Sequence, residues 1–237
     1  MKGTLYLIPC PIDPEGSPAA VLPAQNRDII ASLDYFIVEN VRSARRFMSK
    51  CGLTERIDAS EFRELNEHTV AAADIEALVK PIEEGRSAGV ISEAGVPAVA
   101  DPGAAVVALC HKRGIRVVPL VGPSSIIMAV MASGLNGQSF AFNGYLPVKP
   151  PERVKAIRFF ERRAVTEHQT QVFIETPYRN ARLWEQLMQT CAPTTMLTVA
   201  ADITAADEYI VTRTVGEWRR SAMPDIERRP AIFAIGI

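Results

Sequence analysis

The sequence predicts an α/β protein of two domains, and three observations predict it. Short apolar runs alternate with helical patterns through the first half. The texture changes at a proline-rich stretch, residues 143–151. The second half then resumes with strands separated by short turns. The expected domains are 1–144, with a mostly parallel sheet, and 145–237, with a mixed sheet. A chain of 237 residues allows one large domain or two small ones, each able to bury its own core.

The strands come first. Residues 5–8, 35–38, 89–91 and 115–120 are apolar, short and bounded by turn residues, as buried parallel strands are. Between them, 43–50 places Ala44, Phe47 and Met48 at i, i+3 and i+4, and Gly52 is a natural stop. Residues 69–85 put Val70, Ala73, Ala77 and Leu78 on about one face, with Pro81 expected to kink or shorten the helix. Asp101, Pro102 and Gly103 open another helix, which Gly114 closes. Beyond the linker, 152–163 and 179–190 read as helices, and 172–175, 196–200, 209–212 and 232–235 as strands. No internal repeat or low-complexity tract is visible.

Composition bounds the chemistry. Hydrophobic residues are 48% and charged residues 22% of the chain, and the net charge is −1. No global basic excess exists to drive non-specific nucleic-acid binding, so an RNA substrate needs a local basic patch. Cys10, Cys51, Cys110 and Cys191 form no C-x-x-C pair, which leaves no zinc or redox motif and no expected metal. The apolar run at the N-terminus is too short for a signal peptide or a membrane span, so the chain reads as cytoplasmic.

In open α/β sheets ligands bind outside the carboxyl ends of the strands. Three loops lie there. The first, 9–14, is proline-rich and carries neither a P-loop nor a G-x-G-x-x-G fingerprint. It is a stiff connector or a ligand wall. The second, 92–103, has small residues and two prolines, with Glu93 and Asp101 toward its ends. Asp101 has a ready structural job as a helix cap, whereas Glu93 has none in the local sequence. The third, 121–125, brings Ser124 and Ser125 to a helix start, where they cap it or bind a polar ligand.

These stretches carry a resemblance. Residues 91–103, I-S-E-A-G-V-P-A-V-A-D-P-G, resemble the S-D-A-G-T-P…D-P-G segment of the ribosomal-RNA ribose methyltransferases, the branch that methylates cytidine 2′-oxygen in 16S RNA. Those enzymes have the tetrapyrrole-methylase fold. Other segments agree in order: G-T-L-Y-L-I-P at 3–9, E-N-V-R-S-A-R-R at 39–46, N-E-H-T at 66–69, P-L-V-G-P-S-S at 119–125, N-G-Y-L-P at 143–147 and E-T-P-Y-R at 175–179. The resemblance implies S-adenosylmethionine in a cofactor cleft between two α/β domains, ribosomal RNA or the small ribosomal subunit as partner, and a homodimer. The family's cofactor-contacting positions fall on Pro9, Ser92, Glu93, Ala94, Gly95, Ser124, Ser125, Tyr145, Leu146, Ala200 and Ala201. The chain departs from the family at Asn40 and Glu93, where the family has Asp, at Asn66, where it has His, and around Thr204, where its R-E-L-T-K-x-x-E motif is reduced.

A ribose hydroxyl is a poor nucleophile at neutral pH, so a general base helps. Glu39, His68 and Glu93 are the candidates. For Glu39 the alternative is a salt bridge to Arg42 or Arg45, and for His68 a surface position near a helix cap. His111 and His168 look structural. Arg42, Arg45, Arg46 and Lys50 recur at helical spacing and could form a substrate-binding face or a solvated one; Arg42, Arg45 and Arg46 are the substrate-binding candidates. A second basic run comprises Lys149, Arg153, Lys155, Arg158, Arg162 and Arg163. Few aromatics expected at the surface interleave with these charges, which argues against a stacking platform for single strands. Two other readings stay open: a methylase of a tetrapyrrole or other small molecule, and a non-catalytic cofactor-binding RNA or ribosome-assembly module.

Overall fold

The structure, a computed structural model, describes residues 1–65 and 71–237. The chain divides into two compact units, Met1–Ser124 and Ser125–Ile237.

The N-terminal unit runs β1 (Thr4–Ile8), α1 (Pro18–Val21), α2 (Ala24–Ser32), β2 (Tyr35–Val38), α3 (Val41–Lys50), α4 (Thr54–Ile57), β3 (Glu61–Glu64), α5 (Ala72–Glu83), β4 (Ala88–Ile91), α6 (Gly103–Lys112) and β5 (Arg116–Pro119). Its sheet has the order β3-β2-β4-β1-β5, and every pairing is parallel. Strand side chains alternate between faces, so each apolar run supplies two cores. Leu5, Tyr35, Ile37, Ala88 and Val90 pack with α5 and α6 on one side. Ile8, Phe36, Val38 and Ile91 pack with α2, α3 and α4 on the other. Burial on both faces is why these strands read as unbroken apolar runs. Gly89 sits in the central strand because a Cβ there would stand 2.5 Å from Ile8 Cδ1 and 3.0 Å from Phe36 Cδ1.

The C-terminal unit runs α7 (Ser125–Ser133), β6 (Phe140–Tyr145), α8 (Pro150–Thr166), β7 (Thr170–Glu175), a 3-10 turn (Pro177–Arg179), α9 (Asn180–Thr190), β8 (Met196–Ala201), β9 (Tyr209–Thr214), α10 (Val215–Trp218) and β10 (Ala231–Gly236). The sheet order is β6-β7-β10-β8-β9, parallel only between β6 and β7. Ile157, Leu183, Trp184, Leu187 and Trp218 pack on Phe173, Leu197, Val199 and Phe233 of the sheet. Helix α7 packs against β9 and β10. The mixed sheet expected here is present, but the expected boundary at 144/145 falls inside this unit. Asn143 and Gly144 look like linker residues, yet β6 pairs with β7 on both sides of them. Gly144 takes φ +62° at the register shift between Phe142 and Tyr145, so the turn chemistry marks a strand irregularity instead of a domain end.

The other differences are local. Strand β3, E-F-R-E, carries no apolar alternation and was not expected. Its pairing with β2 is reinforced by Arg86, whose Nη1 lies 2.6 Å from Glu61 Oε2. Helix α5 carries Pro81 internally and ends two residues later, at Glu83. The stops at Gly52 and Gly114 hold, both with positive φ. The cysteines are free. Among the described residues no helix is long and apolar enough to cross a membrane, and no acid, His or Cys group is arranged to hold a metal ion.

Candidate functional site

All five strands of the N-terminal sheet end at one edge, so the loops after β1, β2, β4 and β5 gather there. The loops after β1 and β4 are tied backbone to backbone. Cys10 N–H donates to Gly95 O at 2.8 Å, and Gly95 N–H donates to Cys10 O at 3.2 Å. The loop after β5 is fixed to the first by contact: a Cβ on Gly122 would lie 2.3 Å from Pro9 Cγ. Asn26 Nδ2 donates to Val121 O at 2.8 Å and holds the same loop from α2. Pro9, Ser92, Glu93, Ala94 and Gly95, five of the residues singled out in the sequence, are therefore drawn to one edge, and Ser124 ends this unit.

The loop after β4 is shaped by Asp101. Its carboxylate accepts from Ala98 N–H at 2.9 Å and from Gly103 N–H at 2.7 Å. The Gly103 bond serves the start of α6, as a cap does. The Ala98 bond stabilises a turn in which Ala98 and Ala100 adopt φ of 65° and 61°, a region that costs energy for residues with a Cβ. Burial pushes the Asp101 carboxyl up, and the two N–H donors oppose the shift.

Glu39 and Glu93 meet across the loops after β2 and β4. Glu93 N–H donates to Glu39 Oε1 at 3.1 Å, and Ser43 Oγ donates to Glu93 Oε2 at 2.9 Å. Among the described residues Glu39 forms no salt bridge to Arg42 or Arg45, and Arg45 pairs with Asp58 instead. Burial raises its pKa, the Glu93 N–H opposes this, and the charges of Asp101 and Glu93 raise it further. Glu39, Glu93 and Asp101 have no lysine or arginine partner among the described residues. Ser43 was missed in the sequence. Its signal is position: it lies in the first turn of α3, four residues after Glu39, on the helix that Asn40 caps by accepting from Ser43 N–H at 3.1 Å. The departure at Asn40 is thus silent for the cap, since Asn and Asp serve equally.

Beside Glu93 is a cavity of about 150 Å3. It is lined by the loop after β1, from Cys10 to Pro18, by Ser92 and Glu93, and by the Ser43, Arg46, Phe47 and Lys50 face of α3. Lys50 Nζ donates to Pro14 O at 2.6 Å and braces that loop. Arg46 is exposed at the cavity wall, and Arg42 is exposed one turn earlier. Arg45 pairs with Asp58 at 2.7 Å. Such an exposed pair is worth under about 1 kcal/mol and does not remove Arg45 from the cationic face. His68 and the 66–69 segment lie outside the described residues.

The remaining cofactor candidates lie in the C-terminal unit. Tyr145 ends β6 and is 56% exposed, whereas Leu146, Ala200 and Ala201 are buried. These three side chains belong to the interior, and Ala200 and Ala201 lie in β8 between β10 and β9. At the end of β8 Ala231 pairs with both Ala201 and Glu175, and the acids have cationic partners. Glu175 binds Arg179, whose Nε donates at 2.8 Å, and Asp202 binds Arg229.

A family model described as tetrapyrrole (corrin/porphyrin) methylases matches residues 18–218. The ribosomal RNA small subunit methyltransferase I of Escherichia coli O157:H7 is 29% identical over 228 residues, covering 96% of this chain and 75% of that protein. The protein of the same name from Neisseria meningitidis serogroup B is 31% identical over 223 residues, 94% of this chain and 72% of that one. Among solved structures, the methyltransferase CobJ superposes with TM-score 0.64 at 14% identity, covering 99% of this chain and 94% of that chain. Uroporphyrin-III-C-methyltransferase from Thermus thermophilus does so with TM-score 0.56 at 19% identity, covering 100% and 93%. At these identities the two structures speak to the fold.

Proposed function

This chain belongs to the tetrapyrrole (corrin/porphyrin) methylases and is a methyltransferase, and we propose that it methylates a ribose 2′-hydroxyl of small-subunit ribosomal RNA with S-adenosylmethionine as donor. The observation that carries the donor half is the trio Glu39, Glu93 and Asp101, three acids at one sheet edge held by N–H and O–H groups and, among the described residues, with no lysine or arginine bonded to them. Such an edge favours a positively charged ligand. S-adenosylmethionine, when bound, supplies an electrophilic methyl group on a sulfonium sulfur. It carries no phosphate, and no P-loop lysine is called for.

The cofactor reading assigns Pro9, Ser92, Glu93, Ala94, Gly95 and Ser124 as binding positions of the N-terminal unit. Ser125, Tyr145, Leu146, Ala200 and Ala201 are those of the C-terminal unit. Glu93 borders the cavity, and in this reading it accepts the proton that an attacking hydroxyl loses. Glu39 positions it by holding its N–H, and Ser43 orients its carboxylate. Arg46 and Arg42 supply the positive charge that an RNA phosphate near the acceptor ribose requires. The RNA half draws its support from the names of the relatives and from this cationic face of α3. A cytoplasmic homodimer goes with it, checked by sedimentation of the purified chain.

Nucleoside mass spectrometry of small-subunit RNA tests the proposal. A strain lacking the gene is expected to lose one 2′-O-methylated nucleoside, restored by the protein with S-adenosylmethionine. Unchanged methylation would remove the RNA half and favour a small-molecule acceptor. Absence of S-adenosylmethionine binding by calorimetry would remove the donor half as well. Binding without turnover on RNA or tetrapyrrole would leave a non-catalytic module.

A further inference from the structure

Helix α8 is 17 residues long. On it Lys155, Arg158, Phe159 and Arg162 fall at i, i+3, i+4 and i+7, which aligns them on one face. All four are exposed, Phe159 by 47%. Among the described residues no side-chain hydrogen bond or ion pair engages Lys155, Arg158 or Arg162. The nearby acids are occupied elsewhere. Glu152 pairs with Lys149, Glu167 holds Arg163, and Glu161 accepts from Ala192 N–H at 2.6 Å and from Thr195 Oγ1. A chain of net charge −1 thus presents a row of unneutralised cations on one helix.

Phe159 differs from a stray surface phenylalanine. Its ring stands edge-on to Phe160 at 5.2 Å between centroids, and Phe160 in turn rests on core residue Phe173 at 5.2 Å. The Arg163 guanidinium lies 6.0 Å from the Phe159 ring. A ring held from behind, exposed and flanked by free cations meets the two needs of a single strand: a surface for a base and charges for the phosphates. It supplies the aromatic that the sequence did not reveal among these charges.

We propose that this face of α8 docks a single-stranded segment of RNA, with Lys155, Arg158 and Arg162 on phosphates and Phe159 stacked on a base. The inference rests on the RNA half of the proposed function and adds a surface remote in sequence from Glu93 and α3.

The test uses the full chain, a fluorescein-labelled single-stranded RNA of about 16 nucleotides, and naked small-subunit RNA, read by anisotropy across a salt series. The triple variant Lys155→Gln, Arg158→Gln, Arg162→Gln is expected to bind RNA at least roughly ten-fold more weakly near 0.1 M salt, with the slope of log K against log salt reduced by about 2. Phe159→Ala is expected to weaken binding about five-fold or more, and Phe159→Trp to restore it. Binding of S-adenosylmethionine by calorimetry should not change in any of them. A triple variant with wild-type affinity and slope overturns this inference and leaves the RNA half standing. A wild-type chain that binds neither RNA removes both. A triple variant that loses affinity for intact small subunits but not for naked RNA assigns the face to a protein, which also overturns the inference.

Discussion

The carboxylates beside the strand ends β2, β4, β7 and β8 keep different company in the two units. In the N-terminal unit Glu39, Glu93 and Asp101 are held by backbone N–H groups and one serine hydroxyl, and burial raises Glu39 and Asp101. In the C-terminal unit Glu175 and Asp202 are bound to Arg179 and Arg229. An acid satisfied by an arginine has no charge left to offer a ligand, and its work is to hold the 3-10 turn after β7 or the loop after β8. An acid satisfied only by neutral donors keeps its charge for a cation or a proton. The fold thus separates chemistry from fastening, one sheet edge for each.

The largest test of that contrast is Arg179→Ala. It strands the Glu175 carboxylate, whose side chain is 0% exposed, and a broken buried pair costs about 3–5 kcal/mol. Trp184 and Trp218 both lie in the C-terminal unit, so the urea midpoint of tryptophan fluorescence reads this loss directly. An unchanged midpoint would mean that the pair fastens nothing. Next is Gly122→Ala, which drives a methyl into the Pro9 ring. Overpacking of this kind costs about 1–3 kcal/mol, and S-adenosylmethionine affinity should fall with it while the tryptophan transition stays in place. A smaller effect is expected at the α3 cap: Asn40→Ala should cost about 1 kcal/mol and Asn40→Asp almost nothing, compared by amide hydrogen exchange in α3.

The smallest effect is in pH. The native Glu39 carboxyl binds its proton more tightly than the unfolded chain does, because burial raises it. Its contribution to stability therefore falls as pH rises from the unfolded value of 4.5 through the higher native one. Glu39→Gln keeps an oxygen for the Glu93 N–H and removes that loss. The variant should gain stability relative to the native chain above that range and lose the advantage below it, followed by hydrogen exchange in β2. A difference of the opposite sign would show that Glu39 has a cationic partner after all.

Much of this was legible in the sequence where one physical cause dominates. Strands β1, β2 and β4 are buried on both faces, and their apolar runs announce it. Gly52 and Gly114 end helices by their backbone freedom. What stayed hidden depended on partners distant in sequence. Strand β3 is polar, with its register to β2 supported by Arg86, which comes after α5. Strand β6 passes through Asn143 and Gly144, whose turn chemistry looks like a boundary until β7 is beside it. Glu93 stands out because it lacks a local role, but its links to Ser43 and Glu39 need the loop after β4 brought against the segment from β2 to α3. Arg45 shows the converse: helical spacing puts it among the cations of α3, and only the fold reveals Asp58 against it.

The central claim is that the unpartnered acids of the N-terminal unit do the chemistry. Single-turnover transfer of a labelled methyl group from S-adenosylmethionine to small-subunit RNA, with the native chain and with Glu93→Gln, tests it most directly. The account predicts label in a 2′-O-methylated nucleoside, a rate at saturating S-adenosylmethionine roughly 10²–10⁴ lower in the variant, and an unchanged tryptophan midpoint. Equal rates in the two proteins would contradict it.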